Sequence, residues 1–192
     1  MTHTPVPSMK DLRRTALLAR RALTDDERAI ASARIVSRVV RSREFSAANT
    51  LACYLPMREE VDTTRIIARA WRAKKRIFAP VVDSVGGMTF RELRPETLLE
   101  RNRFALWEPV GSAQIAAKDL DLVITPLVAF DRNLNRIGMG GGYFDRCFAF
   151  LKHRRNWLRP KLVGVAFDCQ HVEKIEPNHW DIPLYRIFSD HL

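Results

Sequence analysis

The sequence predicts an α/β fold: one domain with a mostly parallel central sheet flanked by helices, preceded by two N-terminal helices. Three observations predict it. Residues 8–43 contain no glycine and no proline and read as two helices in succession. From residue 50 onward, short apolar runs rich in β-branched residues alternate with helix-like segments, the pattern of a parallel sheet with crossover helices. A glycine-rich turn at 138–142 then separates an apolar run from a helical stretch.

Taken in order, residues 1–7 are expected to form a frayed tail. Ser8 is placed to cap the first helix, with Asp11 at its third position. Leu12, Ala16, Ala19 and Leu23 form its apolar stripe. Thr24-Asp25-Asp26-Glu27 is a capping box that opens the second helix, whose stripe is read as Ile30, Ala33, Val36 or Ser37, and Val40. Thr50–Leu55 is a buried strand stopped by Pro56. Asp62-Thr63-Thr64 caps a helix through Trp71. Arg76–Pro80 is a strand, Gly86-Gly87 a hairpin turn, and Met88–Leu93 the next strand. Asp121–Pro126 carries the strongest buried-strand signal. Tyr143–Leu151 reads as a helix and Lys161–Phe167 as a further strand. In such sheets ligands bind beyond the carboxyl ends of the strands, which brings the loops after Leu55, Ile124 and Phe167 together.

The 192 residues suit a single domain, 1–192, and a 46 % hydrophobic content lets it bury a core without disulfides or metal. There is no run of roughly 20 apolar residues to cross a membrane and no apolar stretch in Met1–Lys10 resembling a secretory signal. Cys53, Cys147 and Cys169 are odd in number and widely spaced, which argues against a disulfide framework or a zinc site. They read as small core hydrophobes in a protein of the reducing cytoplasm. The net charge is +10, concentrated in the first two helices and in a basic run from Lys152 to Lys161. Such charge favours anionic partners, or serves only as solvated helix faces. His171 and His179 show no metal-ligand spacing and are expected at the surface or in loops.

The segment with chemical content is DLVITPLVAFDRNLNRIGMGGGYFDRCF, from Asp121 to Phe148. Two apolar runs and a polar turn at Asp131-Arg132-Asn133 lead into Arg136, then Gly138-Met139-Gly140-Gly141-Gly142. Four glycines in five positions leave backbone N–H groups open to a phosphate. A helix starting near Tyr143 would add its positive end. Asp145, in its first turn, can reach a metal bridging phosphate oxygens, and Arg136 supplies a cation at the entrance. The segment lacks the Lys-Ser/Thr ending of a Walker loop and the spacing of a dinucleotide fingerprint. The residues therefore read as a phosphate site for a magnesium nucleotide.

This segment resembles the signature of the 5-formyltetrahydrofolate cyclo-ligases, DLVxVPGVAFD followed by RLGxGGGYYDR. Further matches follow in order: Leu12-Arg13 in a basic first helix, Tyr54-Leu55 with Glu60-Val61-Asp62-Thr63, Leu106-Trp107-Glu108-Pro109, Val165-Ala166-Phe167-Asp168, and His179-Trp180-Asp181-Ile182-Pro183. The resemblance implies an enzyme that uses ATP and Mg²⁺ to turn 5-formyltetrahydrofolate into 5,10-methenyltetrahydrofolate, through a phosphorylated formyl group and ring closure by N10. It implies ATP contacts from Lys10, Arg13, Arg136, Gly138, Met139, Gly140, Gly141, Gly142, Tyr143 and Phe144. Arg136 and Tyr143 would touch the transition state, with no residue acting as acid or base. Leu55, Glu60, Trp107 and Tyr143 would meet the folate, Glu60 by accepting two hydrogen bonds from the pterin. Asp145 and Asp181 would hold the metal. Glu59 is the alternative to Glu60, and core packing or a turn cap is the alternative for Trp107 and Asp181. Two positions depart from the family: Met9 stands where it carries lysine, and Met139 where it shows tyrosine or arginine. Arg13 is expected to face the glycine turn and Arg14 the solvent.

The partners expected are the folate and ATP, with no specific nucleic acid and no membrane; the chain is expected as a monomer, a weak homodimer being the alternative. An RNA-binding protein, suggested by charge alone, lacks the usual RNA-recognition signatures. A sugar- or CoA-handling enzyme on a similar sheet would lack the glycine turn followed by Tyr-Phe-Asp.

Overall fold

In the computed structural model, which describes residues 7–83, 86–153 and 159–191, the chain runs through five α-helices and eleven strands. The expected tail, except Pro7, and the middle of the basic run, residues 154–158, lie outside the described residues. Ser8 caps α1, Met9–Ala22, by accepting from the Asp11 amide. Thr24 and Glu27 form the expected capping box of α2, Asp25–Arg41. A short α3, Arg43–Ala47, follows; Ser42 caps it, a signal overlooked in the sequence. The remaining elements are β1 (Thr50–Cys53), α4 (Thr64–Arg72), β2 (Arg76–Val82), β3 (Met88–Glu92), β4 (Leu99–Arg101), β5 (Trp107–Pro109), β6 (Gln114–Ile115), β7 (Leu122–Pro126), β8 (Ala129–Phe130), β9 (Arg136–Ile137), α5 (Tyr143–Cys147), β10 (Lys161–Val165) and β11 (Arg186–Phe188).

Seven strands form one sheet in the order β11-β10-β7-β1-β2-β3-β6. From β11 to β2 all neighbours are parallel; β3 and β6 add antiparallel strands at one edge. The fold class expected from the sequence is the one observed. After β1 the chain crosses through α4 to β2 on one side, and later places β7 on the other. The carboxyl ends of β1 and β7 therefore flank a topological switch point, where such sheets open a crevice.

Side chains alternate across the sheet and feed two cores. Leu51, Cys53, Ile77, Ile124 and Val163 meet Ile35, Val39, Ile66 and Ala70 on the α2 and α4 face. Ala52, Phe78, Phe90, Val123 and Leu162 meet Phe148 and Leu151 on the other. A third, small cluster joins Ala16 of α1 to Val128, Ala129, Ile137 and Ile175.

The helix stripes need correction. In α2 the buried residues are Ala31, Ser32, Ile35, Val36 and Val39, while Ile30 is 57 % exposed. The buried face is rotated by one residue from the expected stripe: Ala31, Ile35 and Val39, at i, i+4, i+8, pack into the core with the sheet. On α1 the buried pair is Ala16 and Arg20, a charged residue on the face where Ala19 and Leu23 were expected. Helix α5 ends at Cys147 and gives way to a 3-10 turn, Ala149–His153, so the long helix expected after the glycines is absent. Of the three cysteines only Cys53 is buried; Cys147 is half-buried and Cys169 exposed.

Candidate active site

A cleft of about 780 Å³ opens at the switch point. Tyr54, Leu55 and Met57 after β1, with Pro126 at the end of β7 and Leu127 and Val128 after it, form its floor. The loop after Phe167, expected to join them, does not line it: the turn Asp168–Gln170 is held back by Gln170, which donates to the Leu127 and Val128 carbonyls. The later segment Asn178–Asp181 supplies the third side instead.

One wall is the glycine turn between β9 and α5. Gly140 and Gly142 have φ of +102° and +63°, which L side chains avoid, and a Cβ on Gly141 would lie 2.5 Å from the Tyr143 ring. These three positions thus require glycine. Arg13 crosses from α1 and donates from Nε to the Gly138 carbonyl at 2.9 Å, one terminal nitrogen lying over Gly140. Arg14 points away, paired with Asp11 at 3.1 Å and 72 % exposed. Lys10, expected beside Arg13, is exposed and does not line the cleft; Met9 does. The correction follows from helix geometry, since Met9 and Arg13 lie at i, i+4 on one face and Lys10 is turned off it by 100°.

The expected entrance cation, Arg136, is also corrected. It lines the cleft, but its side chain is 5 % exposed. One terminal nitrogen donates to Asp145 Oδ1 at 2.7 Å and the other to the Ile182 carbonyl. Asp145 Oδ1 also accepts from the Ile182 amide at 3.0 Å. Arg136 and Asp145 together therefore clamp the segment around Ile182 to the glycine turn. Asp181 lines the cleft and accepts through Oδ2 from the Asn178 amide at 2.7 Å, a turn cap. The described residues contain no group of three or more His, Cys, Asp or Glu side chains placed to hold a metal ion. Two carboxylates, each with one oxygen already accepting, suit a cation that keeps waters and takes phosphate oxygens, the habit of Mg²⁺, rather than an all-protein cage.

The opposite wall is aromatic. Trp107 on β5 is 46 % exposed. Phe104, at the tip of the β4–β5 hairpin, meets Tyr143 edge-on at 6.2 Å between centroids. Asn102 fixes that tip by accepting from the Phe104 and Leu106 amides. Glu108 ties the hairpin to β2 by accepting from the Val82 amide at 2.9 Å. Phe144 lines the cleft yet stacks on Phe148 at 6.2 Å, so half of it is core. Met139 stands 62 % exposed at the rim.

Glu60 lines the floor beside Leu55. Its Oε2 accepts from the Met57 amide at 3.0 Å. Burial pushes its carboxyl above the usual glutamate range, against the Met57 hydrogen bond and the charge of Arg20, while Glu59 adds to the rise. Glu59 itself faces Arg20 and Arg21 and stays out of the cleft, so of the two glutamates only Glu60 lines it.

The Aquifex aeolicus 5,10-methenyltetrahydrofolate synthetase has a similar structure, with a TM-score of 0.81 at 29 % identity, covering 95 % of this chain and 89 % of that one. A synthetase of that name from Mycoplasma pneumoniae, at 22 % identity and a TM-score of 0.76 over 96 % and 99 % of the two chains, shares the fold. A profile of the 5-formyltetrahydrofolate cyclo-ligase family matches residues 6–190. The chain belongs to that family. The 5-formyltetrahydrofolate cyclo-ligases of Escherichia coli (strain K12) and Haemophilus influenzae are 38 % and 35 % identical, over 86 % and 75 % of this chain and 91 % and 77 % of theirs. The chain is accordingly an enzyme. No helix among the described residues is long and apolar enough to cross a membrane.

One cleft residue, Phe104, and several residues that support the cleft in this cyclo-ligase family member escaped the sequence reading. Arg146 donates to the Gly141 carbonyl at 2.8 Å and to Gly86 at 3.1 Å, bracing the glycine turn against the β2–β3 hairpin. It lay within the quoted signature and could have been found there. Phe104 gave no signal, since an aromatic among Arg101, Asn102 and Arg103 reads as a loop tip. Asp131, read only as a turn residue, is 1 % exposed and accepts from the Asn133, Asn135 and Ile175 amides, fixing the approach to the glycine turn. His171, expected at the surface or in a loop, is half-buried against the Phe130 ring at 5.4 Å.

Proposed function

We propose that this enzyme converts 5-formyltetrahydrofolate to 5,10-methenyltetrahydrofolate at the expense of ATP, with release of ADP and phosphate. The observation that carries the reading is the division of one cleft into two walls. The glycine turn with Arg13 suits a triphosphate, and the aromatic wall with Glu60 suits a flat ring bearing N–H donors. Family membership and the names of the relatives support the folate half; the turn supports the nucleotide half.

In the proposed sequence the formyl oxygen attacks the γ-phosphorus and ADP departs. N10 then attacks the activated carbon, loses its proton and expels phosphate, closing the ring. The protein contributes alignment and charge rather than covalent chemistry. Backbone N–H groups of Gly138–Gly142, with Met139 at the rim, cradle phosphate oxygens, and Arg13 neutralises their charge. Tyr143 stands between the two walls and orients the reacting groups, with Phe144 as its packed support. Arg136 acts from within the wall by fixing Asp145. Leu55 and Trp107 sandwich the pterin while Glu60 accepts from it. Asp145 and Asp181 are the residues that would hold Mg²⁺, which supplies charge neutralisation at the phosphates.

The test is to mix the protein with 5-formyltetrahydrofolate and follow the ultraviolet band of the methenyl product. The band should grow only with ATP and Mg²⁺ together. A folded preparation that binds ATP and forms no product would refute the proposal.

A further inference from the structure

The cleft makes no use of the positive charge of α2. That charge gathers at a second concavity, of about 480 Å³, within the roughly 300–1,000 Å³ of small-ligand sites. Four arginines line it. Arg38 and Arg41 come from the last turn of α2, Arg43 from the start of α3 and Arg186 from the start of β11. Ile187 and Phe188 give the hollow an apolar part. Since α3 leads into β1 and β11 runs parallel to β10, the hollow sits at the amino ends of the strands. The cleft opens at their carboxyl ends, so the two are separate.

The arginines are poorly compensated. Among the described residues, the side chains of Arg38, Arg41 and Arg43 make no hydrogen bond or ion pair. Arg186 lies over the Phe188 ring at 4.8 Å and pairs with Glu44 at 3.5 Å. Glu44 has a side chain 7 % exposed, and its Oε2 has no hydrogen-bond partner, so this is a single, long pair. Three positive charges are left without a partner around one hollow. The helix dipole accounts for Arg38 and Arg41, at the negative end of α2. It does not account for Arg43, which opens the next helix, or for Arg186, which arrives on a strand. Elsewhere the chain shows what an ordinary solvated face looks like: Arg65, Arg69 and Arg72 of α4 are exposed at i, i+4, i+7 and line neither the cleft nor this hollow.

We propose that this hollow is a second ligand site, remote from the cleft, which binds a small molecule through a phosphate or pyrophosphate group. Such a group brings about two to three negative charges and several acceptor oxygens per phosphorus, matching the charge left over. Its oxygens point in tetrahedral directions, so guanidinium forks arriving from two helices and a strand can each meet one. A carboxylate offers two oxygens in one plane and suits a single fork.

The test titrates the full-length protein with sodium pyrophosphate in about 0.15 M salt, where exposed charge pairs are largely screened. Nitrogen-15 NMR follows the arginine Nε–H signals. Those of Arg38, Arg41, Arg43 and Arg186 should move together and half-saturate below about 1 mM, tighter than one surface ion pair can hold an anion. Arg41→Gln and Arg43→Gln should each weaken binding about tenfold, the loss of one charge-assisted contact, and Arg69→Gln should leave it unchanged. These exposed positions carry the test without disturbing the buried Glu44. Citrate, a tricarboxylate, should bind at least about tenfold more weakly than pyrophosphate. Binding of pyrophosphate at the glycine turn is read separately, from the amides of Gly138 to Gly142. Shifts that grow without saturating and spread equally to Arg65, Arg69 and Arg72 would overturn the proposal. So would an unchanged half-saturation in both Arg41→Gln and Arg43→Gln, and citrate binding as tightly as pyrophosphate would overturn the phosphate assignment.

Discussion

Gly140→Ala isolates what the glycine turn contributes. Gly140 holds φ at +102°, and an added Cβ would lie 3.9 Å from the Arg13 guanidinium, an ordinary contact. The penalty is therefore backbone strain and not collision. Holding a non-glycine residue in such a region costs on the order of 1–3 kcal/mol. The free enzyme can relieve that strain by letting the turn relax, whereas phosphate binding requires the original path. The strain then appears in nucleotide binding, as an ATP KM about 5- to 150-fold higher. Gly138→Ala is the matched control. Its φ lies outside the left-handed region and its added Cβ meets nothing within 4 Å, so its ATP KM should stay within about twofold of wild type. Both are measured from the rate of methenyl product formation at varied ATP, with circular dichroism and Tm to confirm folding. Equal KM values for Gly140→Ala and wild type, or equal damage from the two alanines, would refute the idea that the turn is a phosphate cradle set by its backbone.

Arg13→Ala should raise the ATP KM about tenfold or more, through loss of a charge-assisted contact of about 1.5–3 kcal/mol. Arg14→Ala, at a 72 % exposed side chain paired only with Asp11, should change it less than about twofold; steady-state kinetics on both settle the pair. Asp145→Asn leaves the buried guanidinium of Arg136 without its counter-charge and should lower stability by about 2–4 kcal/mol, the smaller part of the range for fully buried pairs because Asp145 is 22 % exposed. Denaturant unfolding measures that loss, and an unchanged midpoint would show that the pair does not clamp the Ile182 segment. Alkylation of the native enzyme at pH 8 should label Cys169 first, since burial pushes the thiols of Cys53 and Cys147 up to about 12 and about 11; peptide mapping reads the order, and early labelling of Cys53 would contradict the packing of β1.

The fold was legible where patterns are strong and local. Capping residues placed α1 and α2, and the apolar run Leu122-Val123-Ile124 announced the central strand. The two-residue strands β6, β8 and β9 and the three-residue β4 and β5 are too short for any periodicity to reveal. The phase of α2 failed because alanine and serine fit the sheet more closely than Ile30, a choice made by tertiary packing. The sequence pointed to several residues that the fold brings along one cleft, the glycines, Arg13 and Glu60 among them. It misled at Lys10, where one step of helix rotation removes a side chain from the cleft, and at Arg136, where a buried partner turned an entrance cation into a clamp.

The central claim is that the formyl oxygen leaves as part of phosphate. It is tested most directly by placing a heavy-oxygen label in the formyl group of 5-formyltetrahydrofolate and running one turnover with ATP in unlabelled water. The account predicts one labelled oxygen in each inorganic phosphate released. Label found in water, with the phosphate unlabelled, would contradict it.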